Sequence, residues 1–152
     1  MATYSIALAR AGVNTANTVM AEIRTAASAR AVLREVGVSF GTLTATAPRF
    51  VLARPTNTPA GGTNNVPIPH DTSDGAALTG FYTTGQTTVP TFATGGPFLK
   101  VAGIPLTLGA GFIWTFPGQG LLVPTSSSLL LANLNASGAT LGSFDIYFTW
   151  EE

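Results

Sequence analysis

Clusters of Gly, Pro and Asn interrupt this chain roughly every 8–12 residues, and short apolar or Thr-rich runs lie between them. Punctuation that dense leaves little room for helices of several turns and selects strands joined by turns. The pattern is cleanest at the end of the chain. From Ser143 to Trp150, Phe144, Ile146, Phe148 and Trp150 alternate with Asp145, Tyr147 and Thr149, the period of a half-buried strand. Gly111–Phe116 places Phe112, Trp114 and Phe116 on one face, and Val32–Phe40 separates Val36, Val38 and Phe40 from Glu35, Gly37 and Ser39. Leu129–Leu134 is apolar on both faces.

Val19–Ala26, Arg49–Ala53, Leu78–Thr83, Thr87–Phe92, Lys100–Leu108 (disturbed by Pro105) and Leu121–Val123 complete the expected strands. One segment competes. Between Val19 and Arg34 the chain is Ala-rich, and Val19, Ile23, Ala26, Ala27 and Arg30 would form a helical stripe; frequent Thr, Ser and β-branched residues favour strands there. Residues 55–76 read as a long polar loop, of a length that is uncommon and usually either mobile or functional. The fold class expected is all-β, a single antiparallel jelly-roll-type β-sandwich. Residues 1–17 form an N-terminal arm or a first strand, and residues 18–152 form the domain.

Composition narrows the function. Charged residues make up 9% of the 152, against about 25% in a typical domain. Thr (23 residues) and Gly (17 residues) stand in their place. A net charge of zero removes the electrostatic footprint of a nucleic-acid binder. The absence of Cys excludes a disulfide framework and thiolate metal sites. MATYSIALAR does not read as a secretory signal, and the most apolar stretch, Phe98–Val123, is broken by Lys100, Pro105, Pro117 and several Gly, which excludes a membrane helix.

Residues able to carry chemistry are few and poorly placed. His70 is the sole histidine, in a loop with no G-x-S-x-G elbow nearby, and reads as solvated. Asp71, Asp74 and Gly75 have the wrong spacing for a calcium loop. Glu22, Glu35, Asp71, Asp74 and Asp145 offer no selected pair for glycoside chemistry. Gly109-Ala-Gly111 opens no helix, so it does not cradle phosphate, and Asn135-Ala-Ser137, formally a glycosylation sequon, reads as a turn. The expectation is a protein that is not an enzyme and uses no cofactor or metal.

The charges are unevenly spread. Arg10, Arg24, Arg30, Arg34, Arg49 and Arg54 face only Glu22 and Glu35 in the first 54 residues, a net of +4; Lys100 and five acids give the remainder −4. Two readings follow: ion pairs satisfied within one sandwich, or arginines pairing acids of a neighbouring subunit. A Thr-, Ala- and Gly-rich exterior at zero net charge is prone to associate, which favours a chain covered by its own copies or by a partner.

Three stretches carry a resemblance: Arg34-Glu-Val-Gly-Val38 leading to Arg54-Pro-Thr-Asn-Thr-Pro59; Ile113-Trp-Thr-Phe-Pro117 followed by Gly120-Leu-Leu-Val-Pro124 and Ser128-Leu-Leu-Leu131; and the terminal Asp145-Ile-Tyr-Phe-Thr-Trp-Glu-Glu152. In pattern and ending the chain resembles small jelly-roll, tumour-necrosis-factor-like head decoration and structural proteins of tailed phages. The resemblance implies a homotrimer seated on the capsid exterior, assembled in the host cytoplasm, that bridges major capsid proteins. It implies a terminal strand near the trimer axis, with Tyr147, Trp150, Arg34 and Glu35 as interface candidates. It also implies an N-terminal docking arm, for which Tyr4, Ile6, Leu8 and Arg10 are the candidates, although their alternation equally suits a first strand. Two other readings remain: a receptor- or carbohydrate-binding knob of a phage fibre, using the 55–76 loop with Phe81, Tyr82 and Phe92, and a free-standing bacterial lectin-like module. No nucleic-acid or membrane partner is expected.

Overall fold

The alternation at the C-terminus organises the first of two large sheets. The computed structural model describes residues 1–11, 17–42, 46–135 and 142–152, and every helix or strand among them is a strand, numbered β1 to β14 in chain order. The first sheet runs from β11 (Gly111–Thr115) and β12 (Leu121–Val123), which both pair with β3 (Ala31–Phe40), through β14 (Phe144–Glu151) and β1 (Thr3–Arg10) to β7 (Ile68–Pro69). The second runs β10 (Lys100–Gly103), β4 (Arg49–Ala53), β13 (Ser128–Asn133), β2 (Val19–Arg24), β8 (Gly80–Tyr82), β6 (Asn64–Asn65). A small ribbon joins β5 (Ala60–Gly61) to β9 (Gln86–Thr88). Every strand pairing in the two large sheets is antiparallel.

The two large sheets pack as a β-sandwich over one apolar core. Phe144, Ile146, Phe148 and Trp150 of β14 all turn inward and are buried, as their spacing predicts. Phe144 meets Phe50 of the second sheet edge-on at 5.0 Å between ring centres, and Phe148 meets Phe81 at 5.1 Å. Each buried ring of this size contributes about 1.5–3 kcal/mol by area alone, and such edge-on pairs add about 0.5–1.5 kcal/mol.

One irregularity sets the chemistry of the outer face. Along β14, Thr149 opposes Glu35 but Trp150 opposes Leu33, so Arg34 is the extra residue of a bulge in β3. The bulge lets Leu33 and Val36 both reach the core while Arg34 and Glu35 remain partly exposed.

Over β4 and β13 the second sheet is covered on both sides. Leu130 and Ala132 of β13 join Val51, Ala53 and Phe92 in a separate apolar cluster on its outer face, with Phe98 and Leu134 packed against it. The segment that brings Phe92 there is clamped by Asn57, whose side chain donates to Val89 O at 3.0 Å and accepts from Thr91 N at 2.8 Å. Leu129–Leu134 is apolar on both faces because both faces are occupied.

Several boundaries differ from expectation. Residues 19–34 form β2, a turn and the start of β3, not a helix, because Ala21 and Ile23 pair across the sheet with Leu131 and Leu129. β10 stops at Gly103, just before Ile104 and Pro105, which has no N–H for the ladder. Within 87–92 only Thr87 and Thr88 are strand, and Phe92 packs beneath its own loop. The 55–76 segment carries β5, β6 and β7, three two-residue strands.

Candidate interaction surface

Among the described residues, no further layer covers the outer face of the first sheet. Cross-strand register arranges it in rows: Ile113, Gly37, Tyr147 and Ala7 in one, and Gly111, Ser39, Asp145 and Ala9 in the next. Beyond the bulge, Val32 is flanked by Leu122 on one side and Glu151 on the other. Ala7 and Ala9 are exposed, Ile113 is 60% exposed and Leu122 44%. Small residues make much of the surface flat; the charges on these rows are Asp145, exposed on the central strand β14, and Glu151 beyond the bulge.

Tyr147 is fixed at the centre. Its ring occupies the space above Gly37 that any side chain there would fill, and its hydroxyl donates to Glu35 Oε1 at 2.6 Å. Partial burial, reinforced by the bond to Glu35 and that residue's negative charge, pushes the phenol up to about 12. Arg34 closes one margin. It donates to Glu151 Oε2 at 2.7 Å and to Gly118 O at 2.6 Å. The shared hydrogen bond raises the Arg34 guanidinium and holds the Glu151 carboxyl below its usual range.

Of the four interface candidates, the structure brings Tyr147, Glu35 and Arg34 together on this face and leaves Trp150 out. Trp150 is fully buried inside the subunit, where its indole donates to Glu152 Oε1 at 3.0 Å and its ring stacks with Tyr4 at 6.1 Å. Strand parity explains the difference: Trp150 shares the inward face with Phe148, while Tyr147 points outward.

The docking-arm candidates are likewise spent internally. Thr3–Arg10 is a strand paired along its whole length with β14. Tyr4 and Ile6 are buried, Leu8 packs against the core, and Tyr4 donates to Gly75 O at 2.9 Å. Arg10 sits opposite Phe144, half-buried, and its desolvated guanidinium is lowered from the usual arginine range. Thr3, Ser5, Ala7 and Ala9 take the outward positions of this strand, and the two alanines are the exposed ones. Residues 12–16 of the expected arm, and Ala136 and Ser137 of the Asn135 motif, lie outside the described residues.

The other sequence candidates stay apart. His70 is exposed, and its backbone N–H donates to Thr3 O at 2.8 Å. Asp71 closes its own turn by accepting from Ser73 N and Ser73 Oγ, bonds that lower its carboxyl. Among the described residues no three of His, Asp and Glu gather as a metal cluster, and no helix is long and apolar enough to cross a membrane. The ion pairs found among the described residues, Arg24–Glu22 and Arg34–Glu151, both lie within the chain.

The first of these pairs was missed in sequence. Glu22 is fully buried on the outer face of the second sheet, and Arg24 answers both its oxygens at 2.7 and 2.8 Å. Arg24 also donates to Gly61 O at 3.0 Å, and its guanidinium lies 4.3 Å from the centre of the Tyr82 ring. The signal was the i, i+2 spacing, which puts Glu22 and Arg24 on one side of a strand.

No protein-family model, curated protein or solved structure matches the chain.

Proposed function

We propose that this chain is a non-enzymatic structural protein of a tailed-phage virion, a head decoration (cement) protein that trimerises and binds the shell of major capsid protein. The observation that carries the reading is the asymmetry between the sheets: the Phe92 loop covers the outer face of the second over β4 and β13, whereas the first presents an Ala-, Gly- and Ile-bearing face around Tyr147. A second and third copy of the chain are the occupants that fit. Such a face has few charges to desolvate, and the Tyr147 hydroxyl is already satisfied by Glu35. The strand order β10-β4-β13-β2 against β11/β12-β3-β14-β1 supports the jelly-roll form of the sandwich. The virion assignment itself rests on the resemblance of the three motifs quoted above.

The mechanism is avidity. Each subunit adds a modest contact to the shell, and a closed oligomer engaging several capsomers at once multiplies these into stable attachment. No cofactor is needed.

The test is co-sedimentation of purified protein with undecorated capsids. The reading predicts saturable, stoichiometric binding and capsids that survive higher temperature when decorated. Failure to bind, or binding without any change in capsid stability, contradicts it.

A further inference from the structure

The end of the second sheet carries a cleft of about 410 Å³, formed by the β2 and β13 ends and the 54–59 segment. That volume lies within the range of small-molecule sites. We propose that this cleft binds the oxyanion of a small ligand, a carboxylate or phosphate group, with Arg54 as its counter-ion.

The lining is rich in hydroxyls able to donate, and it holds no carboxylate side chain. Arg54, Thr58, Ser126, Ser127 and Ser128 all face the cleft. Arg54 is exposed, and the hydrogen bond it makes goes to a neutral carbonyl, Leu122 O at 3.0 Å, so its charge has no carboxylate opposite it. Glu22, the acid beside cleft-lining Arg24, has both oxygens taken by that arginine. Arg24 therefore contributes a neutralised wall, and Arg54 leaves the cleft with a net positive charge.

Two features mark the serine wall as built for something. Ser128 is 1% exposed, yet its Oγ has no hydrogen-bond partner, a rare condition for a buried hydroxyl. Ser126 holds φ at +52°, the left-handed region that non-glycine residues seldom adopt. An oxyanion beside Arg54 would accept from the guanidinium and from serine hydroxyls together, charge-assisted bonds about twice as strong as neutral ones. The site stands whether or not the bare face of the first sheet joins copies of the chain.

Calorimetric titration of the purified protein at low ionic strength tests it, with sodium glucuronate, inorganic phosphate and neutral glucose as probes. Saturable binding of glucuronate or phosphate is expected, with no binding of glucose. Glucuronate alone selects a carboxylate ligand, and phosphate alone selects a phosphorylated one. Arg54→Gln should weaken binding by roughly tenfold or more. Ser128→Ala, which keeps the charge, should weaken it by a smaller factor, with unfolding temperatures of both variants near the parent's. No anion bound at millimolar concentration, or an affinity unchanged in both variants, overturns the proposal.

Discussion

Tyr147 covers Gly37, its directly opposed neighbour on β3, and donates a 2.6 Å hydrogen bond to Glu35 two residues before it. A glycine in mid-strand costs stability unless something uses the space. Here the tyrosine ring uses it. The ring is thereby held against the sheet in place of projecting into solvent, and the surface at its centre becomes flat and preorganised.

A methyl group at position 37 would enter the space of the Tyr147 ring. Gly37→Ala is expected to destabilise the fold by about 1–3 kcal/mol in urea unfolding, the usual cost of overpacking. In the Tyr147→Ala background the same substitution should cost little. The resulting coupling of about 1–2 kcal/mol identifies contact between the two positions; additive effects would show that the ring does not rest there.

The same tyrosine makes stability sensitive to alkali. Its folded pKa is raised from 10.0 to about 12, so its contribution is complete below pH 10 and is lost as pH rises towards 12. Burial raises Tyr4 as well, so part of the alkaline loss belongs to it. Tyr147→Phe should remove the late part of the tyrosinate absorbance rise and flatten the fall in stability over that window. An unchanged titration curve would contradict this placement.

On the other sheet, the buried Glu22 depends on Arg24. Arg24→Met leaves a carboxylate without its partner and is expected to cost about 3–5 kcal/mol. Adding Glu22→Leu removes the stranded charge and should recover most of that loss in chemical denaturation. A single variant as stable as the parent would show that the pair is dispensable.

Phe92 reports on the covering of the second sheet. It is 8% exposed and packs on Val51, Ala53, Leu130 and Ala132. Phe92→Ala should cost about 3–5 kcal/mol. Amide exchange should quicken along residues 86–98, which it anchors; a loss below about 1 kcal/mol would mean that the loop layer does not seal the sheet.

The sandwich was legible because strand periodicity and turn chemistry agree along most of the chain. β4 and β12 have the boundaries expected, and every inward residue of β14 was readable from alternation. Leu129–Leu134, apolar on both faces, announced that something covers the second sheet, but not that Phe92 would do so from a distant loop. The bulge at Arg34 was not readable, because two adjacent outward residues look like a break in period until the partner strand is known. That partner also decides the candidate surface. Tyr147 and Trp150 are three residues apart, yet parity sends one to the surface and the other to the core.

The central claim is that the bare face of the first sheet joins copies of this chain. Sedimentation velocity of the parent protein and of Ile113→Glu measures it directly, since Ile113 is 60% exposed in the row that holds Gly37 and Tyr147. The prediction is a trimer for the parent across micromolar concentrations, and a monomer of unchanged circular dichroism for the variant. A monomeric parent, or a variant that still sediments as the parent's oligomer, would contradict it.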